Sequence, residues 1–412
     1  MTTPETNIFL YMSAQNELSD AAERNVGEIA RSVPLTGLCL YILLDKTKSE
    51  YEKTTMIYEV PPDASAKQFA ASVKLAPIDK EVSSPDVFRN RLKAANAHFE
   101  KYTAGKPMGQ RILVLWGHGG GLVLLDEYQA RSVEIARGRL ADFAKVLANN
   151  EAEGRFDIVA FDSCYMGMLE TMNELRGCAL YALSSSTMVD SQGLPYTEII
   201  ADLKNHDSTR TPHATSEAIC QLYNHRYRET YPDGSRQLLM CDLSKIANAA
   251  DLLNALGTIL GNLIATPDAN DPVRSVIRDA LVCAGGEADY AFCLTLLDLL
   301  EYKLPDVIPA KSQVTLLEAI ADLRQATKEA FSIPHGEDEP SQSPIIWAPL
   351  SRLKYVKMSA DYNALKLSAG GKAGWASLWR KFHNVADGPP IPPPGSPTIG
   401  LPPVTVLKPA LK

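Results

Sequence analysis

The chain has 412 residues, 45% of them hydrophobic and 22% charged, with a formal net charge of −8. That length and balance suit one large α/β core or two smaller domains, and the acidic sign argues against a general nucleic-acid binder. No apolar run approaches the roughly 18 residues that a membrane span needs. The start, Met1-Thr2-Thr3-Pro4-Glu5, lacks the basic and apolar regions of a signal peptide, so a cytoplasmic setting without membrane attachment is expected. The seven cysteines show no regular spacing and suggest reduced thiols, not a disulfide framework. Cys39 reads as a buried thiol, while Cys283 and Cys293 lack a histidine or CxxC partner, so no metal site is expected.

In chain order, Asn7–Met12 reads as the first strand, followed by a helix from about Asn16 to Arg31. Leu38–Leu44 is the second strand, and Thr54–Val60 extends the sheet or folds back as a hairpin. A helix near Asp86–Tyr102 leads to the apolar run Ile112–Trp116, which ends in Gly117-His118-Gly119-Gly120-Gly121. Leu122–Leu125 resembles a short strand, and Leu140, Phe143, Val146 and Leu147 recur at helical spacing. A second buried-type run, Ile158–Phe161, ends in Asp162-Ser163-Cys164, and Met166, Leu169, Met172 and Leu175 then form one apolar stripe. Leu180–Leu183 runs into Ser184-Ser185-Ser186, two helices cover Tyr196–Leu203 and about Thr215–Tyr227, and Arg236–Asp242 reads as a closing strand.

Strands alternating with helices imply βαβ units and a mostly parallel sheet, hence an α/β fold. From about Leu243 to Phe331 the pattern is helical, with breaks at Pro267, Pro272, Gly285-Gly286 and Pro305. Ser343–Leu350 looks like a late strand and Trp375–His383 a final helix. The last 25 residues hold nine of the 27 prolines, which suits polyproline II or disorder. The expected organisation is a catalytic domain over 1–245, a mostly helical region over 246–387 packed on it, and a proline-rich tail over 388–412.

Open α/β sheets place their chemistry in loops at the carboxyl ends of strands. Here one such loop offers an imidazole and another a thiol, the layout of a Cys–His nucleophilic enzyme. A free thiol is mostly protonated near neutral pH, with a pKa of about 8.5. Cys164 lies between a strand and a helix start, where the positive helix end favours the thiolate. His118 would pair with that thiolate and then protonate a leaving amine. The backbone N–H groups of Gly119 and Cys164 are the oxyanion-hole candidates. Asp162 has two readings, a cap for the following helix or an acidic wall for a cationic side chain. No GKS or GKT follows the glycines and no GxSxG occurs, so phosphate-cradle and lipase-type readings fall away.

At these residues the sequence resembles the clostripain family of cysteine endopeptidases, in the clan that includes caspases, gingipains and legumain. The resemblance rests on Trp116-Gly117-His118-Gly119 and on Phe161-Asp162-Ser163-Cys164-Tyr165-Met166-Gly167 with Glu170. Ile8–Met12 followed by Asn16-Glu17-Leu18, the Gly193-Leu194-Pro195-Tyr196 loop, Leu238–Ser244 and Ile345–Pro349 add to it. It spans roughly residues 7–385 and is strongest at the two strand ends.

The resemblance implies a caspase-like α/β/α sandwich around a mostly parallel sheet, with a largely helical C-terminal extension. It implies a cysteine endopeptidase with Cys164 as nucleophile and His118 as acid/base, acting on protein or peptide substrates after Arg or Lys. Asp162 matches the family's S1 position, Asp190 is the nearest second acid, and Ser184 and Ser185 are further substrate-binding candidates. Some members mature by self-cleavage between the dyad residues, an interval that holds Arg131, Arg137 and Arg139. Two departures, an opening loop Ser13-Ala14-Gln15-Asn16 without acids and neutral Ser184–Ser186, speak against calcium dependence and against a strong basic preference. No required cofactor is therefore expected, with calcium the one ion to test. The rival reading is a catalytically silent scaffold or interaction module whose proline-rich tail meets a partner's aromatic groove. A caspase-like preference for Asp is disfavoured, because Asp162 would repel an acidic side chain.

Overall fold

The structure is a computed structural model that describes residues 5–49, 52–76, 83–103, 109–128, 135–149, 155–205, 209–266, 271–285, 289–334, 343–368, 371 and 374–385. The expected proline-rich tail, 388–412, lies outside the described residues. The strands are β1 (Thr6–Ala14), β2 (Leu38–Ser49), β3 (Glu52–Val60), β4 (Val73–Ala76), β5 (Gln110–Trp116), β6 (Val123–Tyr128) and β7 (Ile135–Arg139). They continue with β8 (Ile158–Asp162), β9 (Tyr181–Ser184), β10 (Leu239–Asp242), β11 (Tyr290–Phe292), β12 (Phe331–Ser332) and β13 (Ile345–Trp347).

Among the described residues, nine strands form one sheet in the order β12-β10-β9-β8-β5-β1-β2-β3-β4. The five central strands, β9 to β2, run parallel, and antiparallel strands finish both edges. Thr54–Val60 thus both forms a hairpin with β2 and extends the sheet. The pleat sorts alternate residues to opposite faces. Val159 and Phe161 of β8 join one apolar core, while Ile158 and Ala160 join the other. Helices Ser19–Arg31, Tyr196–Lys204 and Pro212–Arg228 pack on the second face; Pro85–Thr103, Leu140–Ala148 and Leu169–Glu174 pack on the first. The result is a three-layer α/β/α sandwich.

Local chemistry sets several helix starts. Thr211 accepts from the Ala214 N–H at 3.2 Å with Pro212 as first residue, and Asp271 does the same for Arg274 at 3.1 Å ahead of Pro272. Proline suits that position because its missing N–H has no partner to lose. Ser65 and Gln68 form a capping box at the start of Ala66–Ala71. The apolar stripe after Cys164 is a helix only over Leu169–Glu174, and all six of its residues are buried. It is enclosed on every side, so no solvent-facing stripe remains.

The region after Leu243 is largely helical and shares the first core with the sheet. Its strands β11 and β13 pair with each other, and Ile345 N–H donates to Gly167 O at 2.9 Å. Glu170 strengthens the same junction. Its Oε1 accepts from Trp347 N–H at 3.0 Å and from Tyr362 O–H at 3.4 Å, and Trp347 stacks on Tyr362 with ring centroids 4.2 Å apart. Burial pushes the Glu170 carboxyl up to about 7 from an ordinary 4.5, against those two donors. A raised folded-state value adds stability below the unfolded value and loses it as pH rises through the folded one. Glu170→Gln, which keeps the acceptor without the charge, should therefore melt higher than wild type at pH 8. The gain should approach about 3 kcal/mol and fade below pH 4.5; a gain independent of pH would contradict the assignment.

Candidate active site

The parallel pairing of β5 with β8 sets Trp116 opposite Asp162, and Gly117 N–H donates to Asp162 O at 3.2 Å. The loops carrying His118 and Cys164 therefore leave the sheet side by side. A Cβ on Gly119 would lie 2.5 Å from Cys164 O, and one on Gly117, at φ +143°, would lie 2.8 Å from Ser13 O. Only glycine allows so close a backbone approach at either position.

The turn that carries Cys164 is clamped on both sides. Tyr165 N–H donates to Thr187 O at 2.8 Å, Gly167 N–H to Ser185 O at 2.7 Å, and Gly167 O accepts from Ile345. Tyr165 takes a left-handed φ of +58°, which costs a non-glycine residue roughly 1–2 kcal/mol. The clamps hold that conformation. Because residues 163–168 cross toward Ser185–Thr187, the helix begins only at Leu169. The expected help from a positive helix end at Cys164 is thus not provided, since that effect falls off within a turn.

Cys164 is half-buried, and burial raises its thiol pKa. Val189 N–H, donating to Sγ at 3.3 Å, and the Arg236 charge pull it back only in part. Burial thus works toward the neutral thiol at Cys164, against the thiolate expected from the sequence.

His118 Nε2 meets Glu17 Oε1 at 2.9 Å. Glu17 stands in the turn after β1, beside β5, where Ser19 Oγ donates to Ala14 O at 2.6 Å and Asn16 Oδ1 accepts from Leu18 N–H at 2.9 Å. Glu17 lies within the Asn16-Glu17-Leu18 segment of the resemblance, and the sequence pattern alone assigns it no role. Its signal is an acid just past the end of the strand neighbouring the histidine strand.

Asp162 caps no helix. Strand alternation turns it to the second face, where Oδ2 accepts from Leu194 N–H at 3.0 Å and Tyr196 O–H at 2.9 Å. It is 5% exposed, and burial pushes its carboxyl up to about 6. Gly193 covers it; a Cβ there would sit 2.6 Å from Oδ2. Asp190 borders the same loop, half-buried, accepting from Gln192 N–H at 2.8 Å and Tyr231 O–H at 2.7 Å. Ser184 and Ser185 are fully buried, and Ser185 Oγ accepts from Thr187 N–H at 3.2 Å, so they shape the turn and line no open cleft. Of the arginines, Arg131 lies outside the described residues, Arg137 lies within β7, and Arg139 ends β7 with its Nε 3.1 Å from Asp361. Among the described residues, no group of three or more His, Cys, Asp or Glu side chains is placed to hold a metal ion.

A family model for the clostripain family of peptidases matches residues 10–284. The chain belongs to the clostripain family. Solved structures agree on a caspase-like fold. An inactive zymogen C11 protease from Parabacteroides distasonis superposes with a TM-score of 0.60 at 15% identity, over 90% of this chain and 99% of that one. A secreted C11 cysteine protease from Bacteroides thetaiotaomicron, in complex with an irreversible peptide inhibitor, gives 0.55 at 15% identity over 91% and 99%. A search of curated proteins found no match.

The thiol chemistry is open to direct measurement. Alkylation of Cys164 by iodoacetamide, followed by mass spectrometry, should show a pH midpoint above the ordinary thiol range near 8.5, and Arg236→Ala should raise it further. A midpoint below neutrality would overturn the neutral-thiol reading.

Proposed function

We propose that this clostripain-family protein is a cysteine endopeptidase that cleaves after a basic residue. The observation that carries the reading is the backbone contact of Gly119 with Cys164, which sets the imidazole and thiol loops against one another at the carboxyl edge of the sheet. Cys164 Sγ attacks the scissile carbonyl carbon while His118 takes the thiol proton. With Nε2 donating to Glu17, the neutral imidazole keeps its lone pair on Nδ1, the atom that receives that proton. The same contact with Glu17 holds the orientation of the ring. Backbone N–H groups of Gly119 and Cys164 receive the oxyanion. Collapse breaks the C–N bond, and His118 returns its proton to the leaving amine. Water, deprotonated by His118, then attacks the thioester and releases the carboxylate and the thiol.

The same reading assigns the basic preference to Asp190 and Asp162. Asp190 is the acid a cationic side chain meets first, and Asp162 lies behind Gly193, within reach once that loop yields. A guanidinium beside Asp162 would favour its anion and offset the burial that raises its pKa. The sequence departures support activity without calcium, so chelation by EGTA leaves cleavage intact in this reading. Self-cleavage at Arg137 or Arg139 needs β7 to detach first from β6, since Val123 pairs with Arg139 and Glu127 with Ala136.

Cys164→Ala and His118→Ala should each abolish cleavage of Arg- and Lys-reporting peptides without lowering the melting temperature. If the chain processes itself, active protein should also run as two fragments in SDS electrophoresis where Cys164→Ala runs as one. A single intact band from active enzyme rejects the processing step alone. For specificity, Asp190→Asn and Asp162→Ala should each lower kcat/KM for Arg over Gln at P1 by about ten-fold or more. An unchanged Arg preference in Asp162→Ala would remove Asp162 from the pocket assignment.

A further inference from the structure

A pocket of about 310 Å³ opens beside the turn that carries Cys164. Its walls include Tyr165, Thr187, Tyr290, Phe292 and Ile345, with Arg236 and the exposed Asp233 among its polar lining. Ile345 belongs to the first core and Tyr290 and Phe292 pack against it, whereas Leu194 and Tyr196, which hold Asp162, belong to the second. The pocket's apolar walls therefore stand on the first-core side, while Arg236 on its polar side lies over the Tyr231 ring, whose hydroxyl donates to Asp190.

Both catalytic loops contribute to its construction. Tyr165 follows the nucleophile directly, and its ring stacks on Tyr290 at 6.0 Å between centroids. The Tyr290 hydroxyl donates to Gly120 O in the histidine loop. Tyr290, Phe292 and Ile345 lie beyond residue 284, where the family match ends. Segments outside the matched region thus complete a cavity one residue from the thiol.

We propose that this pocket takes a bulky apolar or aromatic side chain of the substrate residue next to P1. The proposal rests on the peptidase reading above. In an extended peptide, successive side chains point to opposite sides. With a basic P1 side chain directed to Asp162 and Asp190, its immediate neighbour points to the other side, toward the apolar walls Tyr165, Tyr290, Phe292 and Ile345. Aromatic and aliphatic walls with a few polar groups suit an apolar side chain, and the volume lies at the small end of ligand pockets. Arg236 and Asp233 carry opposite charges that offset one another, so neither a cation nor an acid meets a net field of one sign there.

The test is cleavage of peptides with Arg at P1 and Ala, Leu, Phe or Trp at P2 or P1′. Wild type should favour a bulky residue over Ala by at least about ten-fold in kcat/KM at one of these positions. Tyr290→Ala, which empties one wall, and Ser235→Trp, which fills the cavity from a lining position, should reduce that ratio below about threefold while Arg remains preferred at P1. Tyr290→Phe, which retains the ring, should keep the bulky preference. Equal cleavage of Ala and bulky peptides at both positions, or a preference that survives both disruptive variants, overturns the proposal. If no peptide is cleaved, binding of the same fluorescent peptides to Cys164→Ala protein decides separately. Tighter binding of bulky peptides that Tyr290→Ala removes supports the pocket while the peptidase reading fails; no such dependence overturns the pocket too.

Discussion

The whole site depends on one close approach of backbone to backbone. Gly119 lies so near the Cys164 carbonyl that any larger residue would push the two loops apart. The approach follows from parallel pairing of β5 and β8 up to Trp116 and Asp162, which ends both strands at the same level. From there the glycines let the histidine loop fold across the thiol loop. The loops that carry imidazole and thiol, more than forty positions apart in the chain, are set side by side by main-chain geometry. Side chains then tune what the backbone has placed.

The faces of the sheet divide the labour around that contact. On one face Asp162 is tied to Leu194 and Tyr196, and Tyr227 O–H donates to Gly193 O at 2.7 Å. This network fixes the loop that also carries Asp190. On the other face, β13 and the Glu170 junction hold the Cys164 turn from behind. The C-terminal region is thereby part of the site's support, sharing one apolar core with the catalytic sheet. A left-handed Tyr165 survives because partners on both sides leave its turn no cheaper shape.

Much of the fold was legible because buried parallel strands are written as short β-branched runs and amphipathic helices as periodic stripes. Ile158–Phe161 and Leu140–Leu147 were readable in this way. Strands of two or three residues, such as Phe331–Ser332 and Tyr290–Phe292, carry no period and exist only because a partner strand is near. The helix after Cys164 shows the same limit. Its apolar residues begin at Met166, yet pairing of the turn with Ser185 and Thr187 delays the first helical residue to Leu169. That delay removes the expected helix-end field, and burial is left to govern the thiol.

The sequence by itself determined the chemistry available: one histidine set among glycines, one cysteine after a buried run, and the family to which these belong. Local pattern suffices there, because strand-forming runs and the need for glycine are properties of short segments. Only the tertiary structure decided that Glu17 meets His118, that Asp162 is sealed behind Gly193, and that Tyr290 reaches the histidine loop. Each of those contacts joins segments far apart in the chain. Their distances are set by strand order and by which face of the sheet a residue occupies, and neither is encoded in any single stretch of residues.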